Sequence, residues 1–337
     1  MNLLLLALAL ATPYRAPLQE PYQDLTLDDK GTYSYVLALE NSNDWGPWIL
    51  TENGEFEAEP GEWVRFLNNS WYGWLDVVLK VQNDGTLART RHNDETFRLD
   101  KIWQNGDTYR SGYYQVSKTP PIGAWNNEVW PKAAITLRTN NSDIYVHVTG
   151  SPSESVVLIG DNNSLHVYAL PGVQSRLMQD RPTVQIKGNG NRLSGYIQSQ
   201  MTGVFVNGND NHLIDLTVVI GPDAVGDDVG GVCFYGRNQS GNRATRTHVI
   251  SFGRAFPATH GWQGFYFDSR HEGGALNDCT VSGFMRGVFG HGVTNTKVDG
   301  FLSINNETPI LFVPYFETPD VAPVGNSVSR LTRIGGR

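Results

Sequence analysis

The sequence is short of the groups that most metal and cofactor chemistry requires. Its 337 residues hold two cysteines, Cys233 and Cys279, and no CxxC, HExxH or GxxxxGK[ST] motif. A structural zinc, a zincin centre and a phosphate-cradling loop therefore have no signature, and no cofactor is expected. The two thiols fit either a disulfide or two free groups, which leaves the redox compartment open. Basic charge is also scarce: 26 Lys and Arg against 34 Asp and Glu give a net charge of −8. A nucleic-acid binder needs a concentrated basic stripe, and none is present. Charged residues make up only 18% of the chain, with 36 glycines, so material for long helices is lacking. The longest apolar run, LLLLALALA after Met1-Asn2, is too short to span a bilayer. It reads either as a secretory leader cleaved at Ala9-Leu10-Ala11 or as a retained anchor. It lacks the basic residues a leader carries, so a signal peptide is doubtful.

What the chain does have is a repeat. Between Ile135 and Val313 one phrase recurs: two alternating apolar residues, a Gly/Asn-rich turn, then a second apolar run. Its first strands read ITLR (135–138), VVLI (156–159), VQIK (184–187), VFVN (204–207), VCFY (232–235), FYFD (265–268), VFGH (288–291) and ILFV (310–313), at steps of 21, 28, 20, 28, 33, 23 and 22 residues. A period of this size built from strands marks a solenoid, in which no repeat buries its apolar face alone. Strand side chains alternate between faces, so the phrases align into columns. The inward pairs are Ile135/Leu137, Val156/Leu158, Val184/Ile186, Val204/Val206, Val232/Phe234, Phe265/Phe267, Val288/Gly290 and Ile310/Phe312. The turns bring Asn141, Asn163, Asn191, Asn211, Asn242 and Asn295 to corresponding points. Asn tolerates left-handed backbone, and its amide can bond to the next Asn along a stack.

These phrases, VQIKGNGNRLSGYI and VFVNGNDNHLIDLTV among them, resemble the right-handed parallel β-helix of the pectin-lyase-like superfamily with its asparagine ladder. The resemblance covers about residues 133–313 and implies an all-β fold of about eight coils; no active-site motif of a single lyase or hydrolase family accompanies it. It is most like the phage tailspikes and polysaccharide-active β-helix proteins.

Around the array, residues 1–30 read as an apolar segment and an extended arm. Residues 31–118 read as a small antiparallel β domain, with hairpin signals at Asn53-Gly54, Pro60-Gly61 and Asn105-Gly106. Eight of the nine tryptophans fall before residue 131, as a domain core or as a docking surface. Residues 119–132 would link to the array and cap its start, and the Pro-punctuated 314–337 would form a cap or an oligomer tail.

The outward columns carry the functional expectation. One runs through Phe205, Cys233, Tyr266 and Phe289, and the next through Asn207, Tyr235, Asp268 and His291. Flat aromatics beside hydrogen-bonding edges suit a polysaccharide laid along the helix axis; the same strip could equally be covered by loops or by a sister subunit. Two Gly-rich insertions, 221–231 and 252–264, bring Asp223, Asp227 and Asp228, and then Arg254, His260 and Trp262, to the same rim. Coils one to three read as plain. Hydrolysis needs two carboxylates about 5–9.5 Å apart, for which Asp268 with Asp227 or Asp228 is the candidate pair and Glu272 the reserve. Elimination needs a base, such as His291, His260 or Tyr235, and a cation, such as Arg254 or Arg270, to steady a uronate. Calcium on the loop carboxylates is possible and is not predicted. Tyr235, Tyr266, Phe205, Phe289, Arg254, Arg270, His260 and Trp262 are the candidate sugar contacts. Together these readings predict a virion-associated or extracellular spike, a homotrimer whose N-terminal domain docks to other virion proteins. A secreted lyase or hydrolase and a purely structural virion protein are the alternatives.

Overall fold

The computed structural model describes residues 23–38, 135–151, 156–171, 182–199, 202–221, 225–226, 230–252, 254–255, 262–315 and 322–335. It also describes strand segments lying between residues 49 and 117. Among the described residues there is no α-helix, and the chain forms a parallel β-helix. One sheet stacks nine strands in parallel, from Gln23–Thr26 through the seven strands that begin at Ile135, Val156, Val184, Val204, Gly230, Gln263 and Arg286, to Thr308–Val313. The second strand of each coil builds a thirteen-stranded sheet from Thr32–Ala38 to Thr332–Ile334. We number the coils one to nine from Gln23.

Three expectations about the limits of the array are corrected. TYSYVLA (32–38), placed by its alternation in the antiparallel domain, instead pairs in parallel with Asp143–Ser151 as part of coil 1. Gln23–Thr26, expected in an irregular arm, pairs with Ile135–Arg138. At the other end Ser327–Ser329 and Thr332–Ile334 continue the second sheet, so the segment after 313 completes coil 9, begun by Thr308–Val313, rather than only capping the array. A separate compact unit, residues 41–132 with 177–179, is thus inserted in sequence between coils 1 and 2. Within it, six strands from Ile49–Thr51 to Gly112–Ser117 form an antiparallel sheet. The side chains of its tryptophans lie outside the described residues.

The interior follows from the alternation. The paired apolar residues from Ile135/Leu137 to Phe265/Phe267, together with Val288, are wholly buried. Ile310 and Phe312, in the last coil with a first-sheet strand, are only partly covered. Phe234 and Phe267 stack inside at 4.8 Å. The turn after the first strand is held by a ladder of buried amides. Asn163, Asn191, Asn211 and Asn242 each accept on Oδ1 the backbone N–H one coil back, from Ser142, Asn163, Asn191 and Asn211 at 2.9–3.0 Å. Each donates from Nδ2 to the carbonyl of Thr139, Gly160, Gly188 or Gly208 in turn. Truncating one of these side chains strands several buried polar groups, a cost on the order of 2–4 kcal/mol. Gly160 and Gly188 are required beside the ladder: at φ +135° and +142°, a Cβ would lie 1.9 and 2.1 Å from a neighbouring carbonyl oxygen. A second, exposed ladder runs through Asp29, Asn140, Asp161, Asn189 and Asn209 to the N–H of Ser240.

Asn141 and Asn295 do not belong to the buried column. Both have φ +54° and sit at the left-handed turn position one residue earlier, shared with Asn162, Gly190 and Asp210. Ser142 and Thr296 occupy the ladder column in their coils. In coil 7 the column position is Gly274, and His271 fills the gap: its Nε2 accepts from Asn242 Nδ2 at 3.1 Å, while its Nδ1 has no partner among the described residues. Both cysteines are buried thiols rather than halves of a disulfide, and burial pushes the Cys279 thiol up to about 11.

Burial holds the His271 imidazole down at about 4, against 6.5 ordinarily. The unfolded chain therefore takes up this proton first as pH falls. Stability should be lost from about pH 6.5 down to about 4, by ~3 kcal/mol in full. Urea denaturation at pH 7 and pH 4.5 should show a smaller acid loss in His271→Gln than in the parent; identical losses would contradict the assignment.

Candidate functional site

The site is built by three consecutive first-sheet strands, Gly230–Phe234, Gln263–Phe267 and Arg286–His291, in coils 6 to 8. Register places Phe205, Cys233, Tyr266 and Phe289 opposite one another, as the column alignment requires. Their exposure is unequal. Phe205, Cys233 and Phe289 are each 5% exposed, Tyr266 is partly exposed and Tyr235 is 40% exposed. Phe205 and Phe289 therefore back the surface rings rather than forming an open strip. Phe205 lies parallel to Tyr235 at 4.9 Å, and Phe289 stacks on Tyr266 at 5.8 Å.

A hydrogen-bonded chain crosses this face. The Tyr266 hydroxyl donates to Asp268 Oδ1 at 3.0 Å and lies 3.4 Å from His291 Nδ1. Asp268 Oδ1 also accepts from the backbone N–H and hydroxyl of Ser269 at 2.7 and 3.0 Å, and Oδ2 accepts from Gly236 N–H at 3.0 Å. With four donors on its two oxygens, the carboxylate is committed to tying two turns together. Burial, aided by Arg286, holds the His291 imidazole below its usual range, and Asp268 opposes the shift. With Tyr266 donating to Asp268, the neutral tautomer of His291 carries its proton on Nδ1 and leaves the Nε2 lone pair free to accept one.

Arg270, expected from the sequence, is joined by two cations that the sequence reading does not single out, Arg286 and Arg237. Arg286 Cζ sits 4.2 Å over the Phe289 ring. Arg270 and Arg237 approach the buried Tyr315 ring at 4.7 and 5.9 Å, and the Arg270 N–H donates to the His291 carbonyl at 2.9 Å. The strand phrases could have shown Arg286, since it shares a register position with Gln263 and Thr308. Tyr315 lay in the segment read as a cap and gave no signal.

Other candidates fall elsewhere. Trp262, expected at the surface, is 1% exposed; its indole N–H faces Ser251 Oγ at 3.3 Å, because the step into coil 7 turns it into the core. Exposed Glu272 accepts from Asn295 Nδ2 at 3.4 Å and bridges to Ser240 and Thr294 in the turn stack. Asp223, Asp227, Asp228 and His260 lie outside the described residues, as does the side chain of Arg254. The backbones of the two insertions do pair, Val225 with Arg254 and Gly226 with Ala255. Among the described residues no group of three His, Cys, Asp or Glu could hold a metal ion. No described helix is long and apolar enough to cross a membrane.

If these contacts set the His291 environment, Asp268→Asn should lower its NMR titration midpoint further and Arg286→Gln should raise it. Midpoints unmoved by either change would contradict the geometry.

No family model and no curated protein matches the chain. Among solved structures it is similar to the tailspike of Acinetobacter baumannii bacteriophage AP22, solved in complex with A. baumannii capsular saccharide. That similarity is at 10% identity and a TM-score of 0.36, covering 93% of this chain and 64% of the tailspike chain. The chain thus spans less than two thirds of that protein's length.

Proposed function

We propose that the protein is a spike whose coils 6 to 8 grip an acidic surface polysaccharide laid along the helix axis. The observation that carries this reading is that Arg286 lies over Phe289, the ring stacked on Tyr266, while Arg237 and Arg270 lie over Tyr315 in the turns that follow the strands of coils 6 and 7. In a chain of net charge −8, a face with three guanidinium groups complements an anionic ligand, and guanidinium matches carboxylate geometry in two-point contacts. Tyr235, backed by Phe205, offers a ring for a sugar face. The separate compact unit inserted after coil 1 supports a division between docking and recognition, and with it a virion-borne, trimeric assembly.

A second reading, cleavage by β-elimination, is favoured by the Tyr266–His291 contact. His291 Nε2 would take the proton α to a uronate carboxylate steadied by Arg270 or Arg286. Hydrolysis finds less support, since Asp268 is committed to four donors and the loop carboxylates proposed as its partner lie outside the described residues.

Purified protein should bind acidic host-derived polysaccharide, more weakly at high salt. Arg270→Gln and Arg286→Gln should each weaken binding by about tenfold, ~1.4 kcal/mol. Affinity unchanged by both variants, or equal for neutral and acidic chains, would overturn the reading. Ultraviolet-absorbing unsaturated products that vanish in His291→Ala would support elimination, whereas new reducing ends without them would contradict it.

A further inference from the structure

A second face, which the strand phrases left plain, carries a different chemistry. On the second sheet, the outward side chains of coils 2 to 4 bring together Tyr145, His147, His166, Tyr168 and Tyr196. Register aligns Tyr145 with His166 and His147 with Tyr168, and Tyr168 in turn with Tyr196. The rings touch in sequence. His147 meets Tyr168 edge-on at 4.8 Å, Tyr168 and Tyr196 stack at 5.5 Å and 28°, and Tyr145 lies 6.0 Å from His166. His166 is fixed by a contact of 3.1 Å between Nδ1 and Ser194 Oγ. Tyr145, His147, Tyr168 and Tyr196 are partly exposed and His166 is exposed.

No Lys, Arg, Asp or Glu lies in these two columns over coils 1 to 4; the outward column on one side holds Thr149 and Gln198, and the column on the other side holds Asp143 and Arg192 at the border of the rings. Burial lowers the pKa values of His147 and His166, which keeps both rings neutral at ordinary pH. The result is a ledge of flat rings tipped by uncharged hydroxyl and imidazole groups. We infer that this ledge, built on Tyr168 and Tyr196, is a second saccharide site that takes an uncharged sugar chain.

Three features favour a sugar over a protein partner. Stacked Tyr168 and Tyr196 stand one coil step apart, ~4.8 Å, comparable with one sugar ring. The ring band spans two coil steps by two residues, about 10 Å by 7 Å, far below the ~800 Å² per side of a stable protein interface. The ring tips offer hydrogen-bonding atoms at the edge of each apolar face, which suits a ligand with hydroxyls around a CH face. The site does not depend on the arginine-bearing face, and the two are separable by charge.

The test uses the full chain and a panel of neutral hexasaccharides of gluco, galacto and manno configuration at millimolar concentration, read by saturation-transfer NMR. Transfer to sugar CH protons is expected from at least one of them, insensitive to salt and to Arg270→Gln. It should fall at least tenfold in Tyr196→Ala and in Tyr168→Leu, which keeps apolar bulk without a ring, and persist in Tyr168→Phe. No transfer from any member, or transfer unchanged in the ring-removing variants, would overturn the inference. So would dissociation of an oligomer by those variants, which would make this face a contact between copies of the chain.

Discussion

Everything in this molecule depends on one constraint: each coil satisfies its backbone by bonding in register to the coils above and below. In-register parallel stacking converts a sequence position into a column, so one misplaced residue recurs against its neighbours on both sides. The buried turn is where that constraint is most demanding, because peptide groups there face the interior without a sheet to pair them. Asn163, Asn191, Asn211 and Asn242 meet the demand by accepting one N–H and donating to one carbonyl per coil. Where the series is interrupted, at Gly274, His271 reaches across from an earlier turn position, its Nδ1 without a partner among the described residues, and Asn326 resumes the pattern two coils on. That substitution puts a buried, acid-sensitive imidazole into the ladder at coil 7.

A rigid array of columns also explains how function is placed. Interior positions stay aliphatic or aromatic whatever lies outside, so chemistry can vary only along the outward columns and the turns. From coil 6 onward the first sheet replaces Gln185 and Lys187 by Tyr235, Tyr266, Asp268 and His291. Asp268 then ties turns of adjacent coils together through Gly236 and Ser269. The same coils see the second strand break into two short ones around left-handed corners at Arg246 and Asp278. There, exposed ion pairs such as Arg246 with Asp215 border the sheets.

Much of this was legible in the chain, for reasons that follow from period and alternation. Valine pairs such as Val204/Val206 could only be interior, and their register named Tyr266, Asp268 and His291 as neighbours before any coordinates. Coil 1 was not legible because roughly a hundred residues separate Thr32–Ala38 from the next strand, so no period could reveal it. Ser327–Ser329 and Thr332–Ile334 were hidden by the prolines that precede them. Trp262 was misplaced because its insertion looked like a surface loop, and burial is decided by where the loop re-enters the coil. The Tyr168/Tyr196 ledge is not legible in the columns of the first strand of each phrase, because the second strand has its own outward columns.

The central claim is that one acidic glycan lies over coils 6 to 8 and is held there by arginine and tyrosine. The most direct measurement is amide hydrogen exchange of the full chain with and without an acidic hexasaccharide. The account predicts slowed exchange confined to residues 235–238, 268–272 and 286–292. Protection in the unit formed by residues 41–132 alone, or none anywhere at saturating ligand, would contradict it.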